Sequence, residues 1–410
     1  MILSQQNKQV VLLTVSTFIG LIVGVLNSVI NTRFLVPELY GDVRYVQNIL
    51  GFLCNILLFG YFVSGSRLLA LSNNTLYSRR IRGVLCVILG LSIVIVMLIM
   101  TVCWALSIIN GSNNLTTLYL IAIPLGSNVI LLNYVNTTMQ GDNHIGRMSL
   151  GRLLPSALYC GIAYWIFSIY GATPELMMIL FNGLAIIVLT IIIISTKPSF
   201  KGLKESFCIL NEENRKYGFN VYLGNLASVA TAYLAGITLG QFCDDNANVG
   251  FYTLAVTISG PLAMLPTIIG TTYFKRFAQQ DKIESKVMKG SFLLTIATCV
   301  IYIICIKYIV AFLYDDSYEI VGSIASWLAV GMSLHGLGDM FNRFLGAHGK
   351  GEEIRNGTFM CGGVIVFGSV LFVYLWQIDG AVITKIASDI VYFAAMYIYY
   401  RRFIKYRTIS

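Results

Sequence analysis

The stretch Asn31–Ala70, NTRFLVPELYGDVRYVQNILGFLCNILLFGYFVSGSRLLA, decides how the chain is read. It presents the end of one apolar segment, a Pro-Glu-Leu-Tyr-Gly turn, and a second apolar segment closed by Gly-Ser-Arg. From Val46 to Val63 the run is broken by Gln47, Asn48 and Asn55, and Arg44 stands at its mouth. Amides inside a hydrophobic run with arginines at both ends do not suit a soluble core. In a bilayer such side chains face a bundle interior or a wet cavity. The hairpin therefore reads as one wall of a transport pathway.

Composition agrees. Of 410 residues, 57% are hydrophobic and 11% are charged, where a soluble chain has about 25% charged residues. Mean hydropathy is +0.76. The net charge of +9 could suit nucleic acid, but its placement fits the cytoplasmic face of a membrane instead. The nine cysteines are scattered through apolar runs without CxxC spacing or a nearby His, and read as small buried residues, not a disulfide framework or a metal site. The first apolar run has no small-residue cleavage site and reads as a retained span.

A helix needs about 20 apolar residues to cross the hydrocarbon core. Twelve runs qualify, at roughly 10–31, 43–65, 82–106, 116–138, 148–169, 175–195, 218–241, 250–273, 290–312, 320–341, 358–376 and 380–400. Such runs can only be helices, because lipid offers no partner for open backbone groups. Charge tests the count. With twelve spans, 24 of the 28 Lys and Arg residues fall on the side of the termini. The opposite loops carry Glu38, Asp42, Glu175, Asp244, Asp245, Asp315, Asp316, Glu319 and Asp379. By the positive-inside rule both termini are cytoplasmic.

The polar segment Thr196–Gly218 divides the spans six and six and reads as a solvated cytoplasmic connector. The organisation expected is an N-terminal six-helix bundle over residues 1–200, a linker over 201–217, and a C-terminal bundle over 218–410 with a short basic tail. A weak internal repeat supports the halves. PELYGDVRYVQNI around Gly41 answers DDNANVGFYTLAVTISGPL around Gly250, and Gly141–Gly146 answers Gly346–Gly351. Equivalent points lie six spans apart, so the repeat is parallel, one of the common transporter plans.

At two places the residues resemble a known family. Arg33-Phe-Leu-Val-Pro-Glu-Leu-Tyr-Gly41 is similar to the junction between the first two spans of polysaccharide-exporter flippases of the multidrug/oligosaccharidyl-lipid/polysaccharide (MOP) superfamily. Gly236-Ile-Thr-Leu-Gly-Gln-Phe, with Val249-Gly-Phe-Tyr-Thr-Leu-Ala, resembles that family's spans seven and eight. The resemblance implies an all-α polytopic protein of two six-helix bundles in a V. It also implies a central cavity that moves a lipid-linked oligosaccharide from the inner to the outer leaflet of a bacterial inner membrane. One departure stands out: Thr231–Ala235 lacks the acidic residue that family members often carry there.

Four basic residues lie outside the cytoplasmic loops: Arg33, Arg44, Lys307 and Lys385. As function, they form a cationic cavity for a lipid pyrophosphate or acidic sugars; as structure, long side chains snorkel to the outer interface. Lys385 and Asp389 are spaced i, i+4 and can pair on one helical face, either as a structural staple or as a proton-sensitive latch. His335 and Asp339 are a second i, i+4 pair, read as packing or as a coupling site for a proton or sodium ion. Gln47, Asn48 and Asn55 on span two, and Asn133, Asn136 and Gln140 on span four, supply polar lining or helix–helix glue at about 0.6 kcal/mol each.

No HExxH, GxSxG or P-loop occurs, so neither an enzyme nor an ATP-driven pump is indicated, and no cofactor or metal is expected. The partners implied are a lipid-linked oligosaccharide, membrane lipids, a coupling ion, and a polysaccharide polymerase with its chain-length regulator. Two alternatives remain. A cation-coupled multidrug exporter of the multidrug and toxin extrusion (MATE) branch wants a cluster of buried acids. An integral-membrane polymerase or glycosyltransferase wants larger outward loops.

Overall fold

A computed structural model describes residues 5–72, 74–109, 111, 113–226 and 231–409. All long elements are helices, with no strand among the described residues. Among the described residues, nine helices are long and apolar enough to cross a membrane, and a bent pair makes a tenth. Side chains such as Leu98, Phe312 and Trp327 are exposed on these helices. An apolar exterior of this extent matches lipid, and the chain is a multi-pass membrane protein.

The chain divides into two compact units, Met1–Leu226 and Ala227–Ser410. The first contains α1 (Gln5–Phe34), α2 (Pro37–Ile56), α3 (Tyr61–Leu71), α4 (Thr75–Ile109), α5 (Asn113–Leu125), α6 (Asn128–Gly141), α7 (Ile145–Tyr170), α8 (Pro174–Ser195), α9 (Leu203–Glu213) and α10 (Phe219–Asn225). The second contains α11 (Leu234–Phe242), α12 (Ala247–Thr272), α13 (Phe274–Phe277), α14 (Ser285–Leu313), α15 (Ile320–Ala347) and α16 (Gly351–Ile409).

Four features differ from the sequence expectation. Pro-Glu-Leu-Tyr-Gly is not a turn: Val36 is extended, Pro37 opens α2, and Glu38 lies in its first turn. Proline suits the first helical position because its missing N–H would have no partner there, and an acid favours the positive helix end. Thr173-Pro174-Glu175 starts α8 the same way, with Thr173 Oγ1 accepting from the Leu176 N–H. Secondly, span two is broken. Phe59 (φ 44) and Gly60 (φ 79) separate α2 from α3, which diverge by 57°. The broken turn is closed from outside: Asn214 Nδ2 donates to the Phe59 carbonyl at 3.1 Å, and the Tyr222 hydroxyl to the Ile56 carbonyl at 2.6 Å.

That closure explains the third difference. The segment expected as a solvated connector forms α9 and a π-helical turn over Asn214–Gly218, with Leu210 and Asn214 buried. Its charges line one face while the other packs on α3 and α4. Spans eleven and twelve fall where expected, as two helices on either side of Gln377 (φ 48) within α16. A Cβ at Gly380 would meet the Phe372 carbonyl, one at Gly368 the Thr384 side chain, and one at Gly357 the Met396 side chain. These pairings converge on Gln377, so α16 folds back as an antiparallel hairpin. The expected span at 218–241 is divided between α10 and α11, and part of it lies outside the described residues.

In the second unit α15 is the most enclosed span. It packs between α12, α14 and α16, and Met340, Phe341, Phe344 and Leu345 join Phe277, Met396 and Tyr400 in one core cluster. A Cβ at Gly336 would lie 2.4 Å from the Ala263 carbonyl, so only glycine lets α15 approach α12 this closely.

Candidate functional site

The second unit holds a buried polar network on three helices. After the Gln377 reversal, α16 carries Lys385, Asp389 and Tyr392 on successive turns of one face. Lys385 Nζ lies 2.6 Å from Asp389 Oδ1, the pair expected from the spacing. His335 of α15 donates from Nδ1 to the same oxygen at 2.9 Å. Asp389 is 1% exposed, whereas the Lys385 and His335 side chains are 21% and 33% exposed. A carboxylate this deep would be costly unless paired; here one oxygen takes both the Lys385 ammonium and the His335 imidazole. Its other oxygen, Oδ2, has no hydrogen-bond partner and faces Gly331, where a Cβ would stand 3.0 Å away.

The expected His335–Asp339 pair does not form. The imidazole of His335 instead stacks on the Tyr392 ring, with centroids 4.6 Å apart and planes 20° from parallel. The Tyr392 hydroxyl donates to Asp339 Oδ1 at 2.8 Å and accepts from Asn342 Nδ2 at 2.7 Å. Thr267 Oγ1 of α12 lies 3.0 Å from Asp339 Oδ2. Asp339 is thus held by hydroxyl donors, and Asp389 by an ammonium and an imidazole. The reason is rotational. Gly331 and Gly338 seat α15 closely on α16, and His335 lies between them, with its Nδ1 on Asp389 across the helix interface. Chemically, the Lys385 ammonium compensates the Asp389 carboxylate, while His335 adds charge only when it gains a second proton.

The first unit holds a smaller cationic group. Arg44 on α2 donates from Nε to the Tyr40 hydroxyl at 2.8 Å and from Nη1 to Gln47 Oε1 at 2.9 Å. Its guanidinium lies over the Tyr40 ring, 4.9 Å from the centroid. Arg44, Gln47 and Asn48 fall at i, i+3 and i+4 on one helical face. Gln47 Nε2 and Asn48 Nδ2 are buried without a hydrogen-bond partner. Buried amide groups normally find partners, and these two have none among the described residues.

Other expected residues lie elsewhere. Arg33 and Lys307 are exposed and make no hydrogen bond or ion pair among the described residues; the stem of Lys307 lies against Gly322 of α15. Neither joins the Arg44 group or the Lys385 network. Asn55 donates to the Gly51 carbonyl one turn back at 2.7 Å, which makes it part of the helix. Asn136 accepts from Arg152 Nε at 2.7 Å, Gln140 is exposed, and Asn133 is half-buried on α6. All three lie on α6, and span four comprises α5 and α6, which meet after Leu125.

Sequence reasoning missed Tyr392 and Thr267. Tyr392 had a readable signal, standing three residues beyond Asp389 on the same face. Thr267 had none, since its role depends on how α12 docks against α15. Also missed was the α5/α6–α8 contact in which Asn128 Nδ2 donates to Asn182 Oδ1 at 2.9 Å.

The comparisons with known proteins agree with this architecture. A family model described as "Polysaccharide biosynthesis protein" matches residues 7–280, well over half of the chain. Among solved structures, the inward-facing conformation of a multidrug resistance MATE family transporter of the MOP superfamily is 16% identical, with a TM-score of 0.73 over 98% of this chain and 99% of that one. The lipid II flippase MurJ, in an inward closed conformation, is 15% identical, with a TM-score of 0.72 over 94% of this chain and 86% of that one. An outward-facing MATE family transporter of the MOP superfamily is 17% identical, with a TM-score of 0.63 over 98% and 97%. Identities this low speak to fold. No curated protein sequence matches the chain. With a helical membrane architecture shared with MOP-superfamily transporters and a family match spanning residues 7–280, the chain belongs to the polysaccharide biosynthesis protein family.

Proposed function

We propose that the protein is a flippase that carries an undecaprenyl-pyrophosphate-linked oligosaccharide repeat unit, of the O-antigen or capsule type, from the inner to the outer leaflet of a bacterial inner membrane. The family match over residues 7–280 carries this reading. The intramembrane cations support it: Arg44, held over Tyr40 beside unpartnered amide donors, suits a phosphate- and sugar-bearing substrate. Alternating access is the mechanism, with both termini cytoplasmic. The coupling ion is a proton or sodium acting at the Lys385–Asp389–His335 network, with Asp339 as its neighbour. Arg33 and Lys307 serve as outer-leaflet anchors of the same sign. The expected partners are a polysaccharide polymerase and its chain-length regulator.

A second reading, a multidrug exporter, is favoured by the structural likeness to MATE family transporters. The two separate in one experiment. The gene is deleted in the native host, surface polysaccharide is labelled, and lipid-linked oligosaccharides are resolved by leaflet. Loss of surface glycan with complete repeat units held on the cytoplasmic side supports the flippase. Normal surface glycan with raised drug sensitivity supports the exporter. Complete units unpolymerised on the outer face would instead assign a polymerase.

A further inference from the structure

At the end of the first unit that loop charge assigns to the cytoplasm, a pocket of about 250 Å³ opens between the first turns of α4, the start of α7 and the end of α8. Four cations line it: Arg79 and Arg82 from α4, Arg147 from α7 and Lys197 after α8. The hydroxyls of Thr75 and Ser78 complete the wall. Basic residues on this side of a membrane protein ordinarily report topology alone, but mobile surface lysines would not be fixed as these are. Arg79 Nε donates to the Lys197 carbonyl at 2.8 Å, and Arg82 Nη1 to the Thr196 carbonyl at 3.0 Å. Lys197 itself has φ +51, a left-handed conformation unusual for a side-chain-bearing residue. The turn that carries it is pressed onto α4: the Ser199 N–H donates to the Arg79 carbonyl at 2.8 Å, and a Cβ at Gly83 would overlap the Ser199 carbonyl.

Charge is the second observation. Asp142 is paired with Arg82 at 2.8 Å. Arg79, Arg147 and Lys197 make no ion pair among the described residues, so three positive charges converge uncompensated. The helix end is not what would hold an anion here, because Asn74 Oδ1 already accepts from the N–H groups of Leu76 and Tyr77. The side chains would: guanidinium forks and hydroxyls are the donors suited to phosphate oxygens. The pocket is smaller than the roughly 300–1,000 Å³ typical of drug-sized ligands, and suits a headgroup.

We propose that this pocket binds a phosphoryl group at the cytoplasmic surface, carried by an anionic lipid headgroup or free as pyrophosphate. The site is separate from the Arg44 group and from the Lys385 network, and stands whether or not the flippase reading does. The test uses the full chain in nanodiscs of phosphatidylcholine with a minor fraction of phosphatidylglycerol, counting retained phosphatidylglycerol by native mass spectrometry. In parallel, inorganic pyrophosphate is titrated into protein in pure phosphatidylcholine nanodiscs. Arg147→Gln removes a cation that makes no bond among the described residues, so its fold is expected to be intact; Arg79→Gln is combined with it. Arg401→Gln with Arg402→Gln is the control of equal charge loss in the second unit. Binding is expected to fall about fivefold for each charge removed from the pocket, with Arg147→Lys retaining most of it and the control pair unchanged. Loss in the lipid arm alone assigns a headgroup, and loss in the pyrophosphate arm alone assigns a soluble ligand. Equal loss in the control pair, or no loss in either arm, overturns the site.

Discussion

His335 Nδ1 hydrogen-bonds Asp389 Oδ1 across the α15–α16 interface at 2.9 Å, although Asp339 stands one turn away on its own helix. The two carboxylates of the second unit are thereby sorted. Asp389 takes the Lys385 ammonium and the His335 imidazole, and Asp339 takes the hydroxyls of Tyr392 and Thr267. The stacked His335 and Tyr392 rings are the link between the two groups.

This sorting predicts a specific non-additivity. In a double-mutant cycle read by thermal melting, His335→Ala and Asp389→Asn should couple by about 1 kcal/mol or more, as contacting residues do. His335→Ala with Asp339→Asn should couple more weakly. A stronger coupling to Asp339 would mean that the imidazole points the other way.

Lys385→Ala leaves Asp389 buried with only the imidazole facing it. Removing one partner of a buried pair costs roughly 3–5 kcal/mol, much of it from the stranded charge. Melting temperature and glycan export should therefore both fall, and Lys385→Ala with Asp389→Ala should recover much of the loss. Equal defects in the single and double variants would show that the charge of Asp389 is not what Lys385 serves.

Arg44 acts through its planar fork as well as its charge, since it stacks on Tyr40 and reaches Gln47 at once. Lysine keeps the charge and loses the fork. Complementation of export should rank wild type above Arg44→Lys, and Arg44→Lys above Arg44→Ala. Identical export by all three would reduce Arg44 to a snorkelling side chain.

The break in span two depends on Asn214, which donates to the Phe59 carbonyl and accepts from Ser64 Oγ at 3.0 Å. Asn214→Ala should destabilise the protein by about 1–3 kcal/mol, the cost of leaving a buried polar group unmet. Gly60→Ala should be at least as harmful, because φ is +79 and the added Cβ would stand 2.5 Å from the Gly218 carbonyl. Unchanged melting in both would remove the closure of the break as a source of stability.

Much of the fold is local and therefore readable from the chain. Hydrophobic length located the membrane-crossing segments, since a helix must cover the hydrocarbon core whatever its neighbours are. The Lys385–Asp389 pair was readable for the same reason: 3.6 residues per turn places i and i+4 together without reference to another helix. Pro37 and Glu38 could have been read as a helix start rather than a turn, because proline and an acid are favoured there. The Phe59–Gly60 break was harder to see, because its freed carbonyls are met by Asn214 and Tyr222 from more than 150 positions away.

What the amino-acid order determined by itself is the set of helices and the spacing of polar groups along each one. What only the tertiary structure decided is which polar groups meet. His335 sits at helical spacing from Asp339, yet where α15 seats closely on α16 at Gly331 and Gly338 its ring meets Asp389 and Tyr392. Arg33 and Lys307 have the same intramembrane signature as Lys385, yet they are exposed, while Lys385 reaches a buried carboxylate. The rotation of one helix against another is fixed by side-chain volumes at their interface, and those contacts join residues far apart in the chain.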